Sequence, residues 1–296
     1  MENYIVTIII GTLVGTITRV LLLKVDYRQY PGYPHGFITH ISLGLIASAL
    51  GAVAVPAILK PDYTAFTFLA LAAQQFREIR NMERQTLENM EKTWMVQRGY
   101  DYIEGIARTF EARNYLVMIA AFFSSLAHQL AGIGGGLGLG LILMIFALSY
   151  KTGDSIGDIC EVIPEKVYFK NSLLFVGDIN FMSVGLKEMR ERISQDALGA
   201  IIKPKDDDAR ATLSNHGQRM AIAHTAAIVL GTQKDVDIPE FTPLVRKDPK
   251  TGKVALYIVP AEKDQHALIA AVNRTPVLES ARIRPSKTKA GRIASD

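Results

Sequence analysis

The chain has 296 residues, 49% of them hydrophobic, and carries 33 Lys and Arg against 29 Asp and Glu, a formal net charge of +4. That length accommodates an apolar helical unit and one soluble domain. So small a charge excess gives no basis for a nucleic-acid partner, and the single Cys160 excludes an internal disulfide.

In chain order, the first apolar run is Tyr4–Leu23. It is too long for the core of a cleavable signal peptide, and Met-Glu-Asn before it lacks a positive n-region, so it reads as a retained anchor. Arg19, near its end, is expected to snorkel toward the headgroups. Gly11 and Gly15 form a GxxxG pair suited to close helix packing. A second, uncharged span covers 37–59, with Gly44, Ser48 and Ala52 at the same interval and Pro56 one turn from its end. Segment 61–76 is short against the usual span of about 17–25 residues. Charge argues for a crossing nonetheless. Arg77, Arg80, Arg84, Lys92, Arg98, Arg108 and Arg113 follow it, Lys24 and Arg28 occupy the first loop, and loops rich in such residues stay cytoplasmic.

Beyond residue 76, Ile79, Met82, Thr86, Met90 and Trp94 recur at three- and four-residue steps, which predicts an amphipathic cytoplasmic helix. After a break at Gly99, Ile103, Ile106, Ala107 and Phe110 mark the apolar face of a second helix, with Glu104 and Arg108 on its polar side. Tyr102-Ile103-Glu104-Gly105-Ile106-Ala107 within it is read as a partner-docking element, because a mid-helix glycine costs about 1 kcal/mol relative to alanine and suggests a close approach. Segment 115–150 then contains no Lys, Arg, Asp or Glu. A single helix of that length would be about 54 Å long, against a bilayer core of about 30 Å. It is therefore expected to be a transmembrane hairpin, reversing at Gly134-Gly135-Gly136, with Gly132, Gly136 and Gly140 as a packing ladder. His40, His128 and Gln129 are the intramembrane polar candidates, either as interhelical hydrogen-bonders or as relay groups.

The predicted organisation is two spans in 1–60, a short third span with amphipathic helices in 61–114, the hairpin in 115–150, a soluble α+β domain in 151–284 and a disordered basic tail in 285–296. The fold class is a membrane helical bundle of five spans, four if 61–76 is re-entrant, with the N-terminus outside and the soluble domain cytoplasmic. In that domain 167–169 and 173–176 read as strands and 181–195 as a helix. The last hundred residues predict strand 198–202, helix 209–230, strands 244–246 and 254–259, helix 264–273 and strand 277–283. That order is the ferredoxin-like βαββαβ.

The hexapeptide, the length, the order of apolar segments, the glycine-rich hairpin after the motif and the 154–179 stretch together resemble the YIEGIA family of bacterial integral membrane proteins. The resemblance covers the whole chain. It implies a setting in endospore-forming Firmicutes and a small companion protein described as a capping-complex subunit, and it brings no catalytic residues.

Among the residues themselves, no Ser/His/Asp, Cys/His or paired-carboxylate pattern stands out. Asp206-Asp207-Asp208 suits a solvated helix start better than a metal site. His216 and His224 share a helix without a third ligand at zinc spacing. No catalytic residue, metal or cofactor is therefore expected. Membrane lipid, the companion protein and further copies of the chain are the expected partners. The leading expectation is a membrane scaffold or anchor linked to sporulation. A transporter or channel subunit, and a sensor with a ligand-binding cytoplasmic domain, are the alternatives.

Overall fold

The computed structural model describes residues 2–29, 36–60, 63–149, 153–232, 234–235, 238–239, 241–283 and 287–293. Pro61, at the start of the predicted third span, and Lys151 and Thr152, at the predicted domain junction, lie outside them. The chain divides into two compact units, one formed by residues 1–85 and 106–152, the other by 86–105 and 153–296.

The first unit is helical. It contains α1 (Glu2–Gln29), α2 (Gly36–Leu59) and most of α3 (Tyr63–Glu91) and α4 (Tyr100–Ser149). Among the described residues, three helices are long and apolar enough to cross a membrane: Tyr4–Leu23 within α1, α2, and α4. Their polarity is inverted relative to a soluble bundle. On α1, Ile5, Ile9, Leu13 and Ile17 are exposed at four-residue steps, while Thr7, Thr18 and Arg19 are fully buried. A core cluster of Ala47, Phe76 and Val117 ties α2, α3 and α4 together.

Small residues let α1 and α2 approach in three successive steps. A side chain at Gly11 would meet Ala52, one at Gly15 would collide with Ser48, and one at Gly44 would collide with Arg19. Each advance of four residues on α1 is thus matched by a retreat of four on α2, so the helices run antiparallel.

The apolar hairpin reverses at Ala131 (φ −133°) and Gly132 (φ 70°), not at Gly134–Gly136 as expected. The reversal is visible in the bond from Ser124 Oγ to the Gly136 carbonyl at 2.8 Å, across 12 residues, where a straight helix would separate them by about 18 Å. Gly132 is the position that needs the left-handed region. A side chain there would meet nothing within 4 Å, so it marks the turn and is not part of a packing ladder. Gly136 and Gly140 lie in the return arm, where added Cβ atoms would press on His128 Cβ at 2.8 Å and Val14 at 2.9 Å.

The second unit combines residues 86–105 with an α+β domain. Short α5 (Ile156–Ile159) leads into β1 (Cys160–Glu165), followed by β2 (Val167–Lys170), β3 (Leu173–Val176) and β4 (Ile179–Ser183). Next come α6 (Lys187–Asp196), β5 (Leu198–Pro204), α7 (Asp207–Ser214) and α8 (His216–Leu230), then the small pair β6 (Lys234–Asp235) and β7 (Ile238–Pro239). The remaining elements are β8 (Leu244–Lys247), β9 (Val254–Ile258), α9 (Gln265–Arg274) and α10 (Lys289–Ile293). The main sheet has the order β1-β5-β9-β8 and is antiparallel throughout. Strand alternation gives it two buried faces. Ala200, Ile202, Val254, Leu256 and Ile258 pack with Ile222, Ala226, Leu268 and Val272 of α8 and α9. Ile201, Ala255 and Tyr257 pack on the opposite side with Leu174, Val176 and Phe181 of the β2-β3-β4 meander and Ile193 of α6.

Four expectations for this domain are corrected. Segment 277–283 forms no strand: Pro276 makes an isolated bridge to Ser155 and Glu279–Ala281 is a 3₁₀ turn, while β1 takes the sheet edge beside β5. The start of the predicted helix 181–195 is β4, because Phe181 is drawn into the core against Tyr257, ring centroids 6.1 Å apart. The predicted helix 209–230 is two helices, since Asn215 leaves helical geometry and caps α8 by accepting from the Gln218 N–H at 3.0 Å. Within the tail, Lys289–Ile293 is helical, and residues 285, 286 and 294–296 lie outside the described part. Asp206 starts α7 as its N-cap, accepting from the Ala209 N–H at 2.7 Å.

Candidate functional site

In the first unit, charge and imidazole converge from three helices. Arg19 of α1 does not snorkel; it is fully buried and its Nη2 lies 2.9 Å from His40 Nδ1 on α2. A guanidinium only donates, so Nδ1 must accept and the neutral ring carries its proton on Nε2. That nitrogen faces Glu83 Oε1 of α3 at 3.8 Å, with both side chains 5–6% exposed. Phe110 of α4 closes the cluster, its ring 4.9 Å from His40 and 5.8 Å from the Arg19 guanidinium carbon. Burying either charge alone would be costly. Arg19, His40 and Glu83 form a continuous chain of opposite polarity, which makes the burial tolerable.

Glu83 is the residue that the sequence reading missed. The apolar face assigned to α3 was displaced by one position: Met82 is 59% exposed, whereas Phe76, Glu83, Leu87 and Glu91 are buried. Neither acid was assigned a role from the sequence. The usable signal was their spacing, which sets both on one stripe with Phe76 and Leu87.

A second polar group of the same unit centres on buried Thr7. Its Oγ1 lies 2.9 Å from His128 Nδ1 and accepts from Gln129 Nε2, and its carbonyl accepts from Ser125 Oγ at 3.1 Å. His128 and Gln129 are therefore joined on one threonine, and His40 belongs to the other cluster.

The second unit holds the elbow between α3 and α4. Glu91 accepts from the Arg98 backbone N–H and from Arg98 Nε, each at 2.6 Å, and also pairs with Nη2. Arg98 in turn lies 4.8 Å from the ring centroid of Tyr102, the first residue of the hexapeptide. Burial pushes the Tyr102 hydroxyl pKa up, and the Arg98 charge opposes that shift. His224 of α8 donates from Nδ1 to the Val96 carbonyl at 2.5 Å, with the Trp94 ring edge-on at 5.2 Å. Burial lowers the His224 pKa and holds the ring neutral, against the opposing effect of the Val96 bond. His216 instead pairs with Asp101 at 2.9 Å, so the two histidines of α8 serve different partners.

Within the hexapeptide, Tyr102, Ile103, Ile106 and Ala107 are buried and Glu104 is half-buried. Gly105 is a site of close approach occupied by the chain itself. A side chain there would collide with Ser280 Oγ and lie 2.9 Å from Ser280 Cβ.

The profile of the YIEGIA protein family matches residues 7–288. Over 287 residues the chain is 40% identical to a Bacillus subtilis (strain 168) protein described as "Uncharacterized protein YphB", covering 97% of each. No solved structure matches the chain significantly. With the matched profile reaching from α1 to the C-terminal residues, the chain belongs to the YIEGIA family.

Proposed function

We propose that this protein is a multi-pass membrane scaffold that holds its α+β domain at the cytoplasmic surface for a protein partner, in an assembly linked to spore formation. The observation that carries this reading is the elbow. Residues 86–105 lie between two helices of the apolar unit, yet they cluster with the α+β domain and are joined to it by His224–Val96 and His216–Asp101. Such a linkage, in which the chain passes between the two units three times, suits an anchor for a protein-binding module.

Five spans with the N-terminus outside account for the exposed apolar stripes and the basic residues of 77–113. The soluble domain fits a ferredoxin-like topology with a circularly permuted edge. After β5 come a helical layer, β8, β9 and α9, and β1 occupies the edge position where a final strand would lie. The family resemblance supports the sporulation setting and the small companion as partner.

Reporter fusions after Pro61 and after Lys151 should place the first outside and the second inside. A Lys151 fusion on the outer face overturns the topology. Affinity purification from sporulating cells should recover a stoichiometric small protein, and recovery of the chain alone overturns the scaffold.

A second reading, a proton-coupled transporter subunit, is favoured by the buried Arg19–His40–Glu83 chain. It requires proton flux in proteoliposomes that His40→Ala abolishes; the absence of flux removes it.

A further inference from the structure

The meander face of the main sheet is only partly covered. Its register places Glu165, Gly199, Tyr257 and Leu244 in one transverse row, and Ile163, Ile201, Ala255 and Arg246 in the next but one. The Tyr257 row lies beneath the meander. From Ile163 and Ile201 onward the face opens into a cleft of about 470 Å³, walled by the β3–β4 turn and the β8–β9 turn. That volume falls among those of small-molecule sites, about 300–1,000 Å³.

Continuing the same registers sets Lys203 between Glu161 and Lys253, and Lys253 between Lys203 and Asp248, with Arg246 in the row behind them. Like charges directly opposed across strands are unfavourable. Neutralisation within the chain is partial. Glu161 lies 3.8 Å from Lys203. Asp248, at the cleft end, is engaged by its own turn, accepting from Thr251 Oγ1 at 2.5 Å and from the backbone N–H groups of Lys250 and Thr251 at 3.2 Å. Arg246 is oriented by donating from Nη1 to the Phe181 carbonyl at 2.8 Å, which leaves other N–H groups of its fork for a ligand.

We propose that this cleft binds a nucleotide. Its phosphate would sit on Lys203, Lys253 and Arg246, its flat base would lie over Ile163 and Ile201, and Asp178 and Asn180 in the wall would accept from and donate to sugar and base. Three cations at one end of an apolar floor match a ligand that is anionic at one end and planar at the other. Inorganic phosphate satisfies only the first requirement and a nucleoside only the second. This site is independent of the anchoring role: a protein that captures no partner can still bind a nucleotide, and the reverse.

The test is equilibrium dialysis of the full-length protein in detergent against the four ribonucleoside monophosphates, adenosine and inorganic phosphate. At least one nucleotide should bind saturably below 1 mM and at least tenfold more tightly than adenosine or phosphate. Lys253→Gln should weaken it at least tenfold and, by relieving the opposed lysines, leave the ligand-free unfolding temperature unchanged or higher. Equal affinity for phosphate and nucleotide overturns the proposal, as does the absence of saturable binding. A lower unfolding temperature for ligand-free Lys253→Gln also overturns it, since the lysine would then serve the sheet.

Discussion

Arg19 and His40 are joined by a 2.9 Å hydrogen bond in which the imidazole can only be the acceptor. The bond fixes the neutral tautomer of His40 and directs its remaining N–H toward Glu83.

Breaking this chain from one end should therefore cost more than removing both ends. Arg19→Leu alone leaves Glu83 buried without its long-range counter-charge, for which about 3–5 kcal/mol is the expected penalty. The double variant Arg19→Leu/Glu83→Leu should recover part of that loss. Unfolding of the four proteins of the cycle in mixed micelles measures the coupling, and strictly additive losses would mean that the two charges do not communicate.

Glycines of the hairpin should separate into two classes. An added Cβ at Gly136 would sit 2.8 Å from His128 Cβ and 3.1 Å from the Ser124 carbonyl, whereas one at Gly138 would meet nothing within 4 Å. Gly136→Leu should sharply lower the amount of folded protein. Gly138→Ala should be neutral or stabilising by up to about 1 kcal/mol, the helix-propensity difference. Equal tolerance of both in membrane-level measurements would remove the packing role of Gly136.

Gly105 offers a compensation experiment. Gly105→Ala drives a methyl group into Ser280, while Ser280→Gly withdraws the colliding atoms. The single Gly105→Ala variant should lose thermal stability and the pair should regain most of it. No regain would place the cause elsewhere. Unchanged partner capture by the destabilised Gly105→Ala variant would show that the gap serves the fold and not docking.

The elbow should weaken in acid through His224. Its pKa is lowered from the ordinary 6.5, chiefly by burial. Well above pH 6.5 the ring is neutral in folded and unfolded chains alike. As the pH falls below that value the unfolded chain takes up a proton that the folded ring resists, so stability declines until the depressed pKa is passed. Melting temperature between pH 7.5 and 5 should therefore slope downward, and His224→Asn should flatten the slope. An unchanged slope would assign the acid sensitivity to other groups.

Apolar periodicity and charge exclusion made α1, α2 and the hairpin legible, because a lipid-facing helix reveals itself by what it lacks. The hexapeptide helix was equally plain. The failures share a cause, which is that the deciding partner is distant in sequence. Arg19 reads as a snorkelling residue until His40 and Glu83 are placed around it. Glu83 and Glu91 have no apolar character to place them in a core, and both are nonetheless buried. At 277–283 alternation alone suggested a strand, but the edge it would have filled is taken by β1, more than a hundred residues earlier. Phe181 fitted a helical pattern as well as a strand, and only the Tyr257 ring across the sheet decides between them.

The elbow also sets an order of events during synthesis. Glu91 and Arg98 are made early and are close enough to pair at once, but the His224 that covers Val96 follows 128 residues later. Between them the ribosome must deliver the whole uncharged hairpin. The second unit therefore cannot be sealed until that hairpin has been synthesised, and a fragment of residues 153–296 lacks one wall of its own domain. Completion of the second unit thus joins a segment made before the apolar hairpin to a helix made after it.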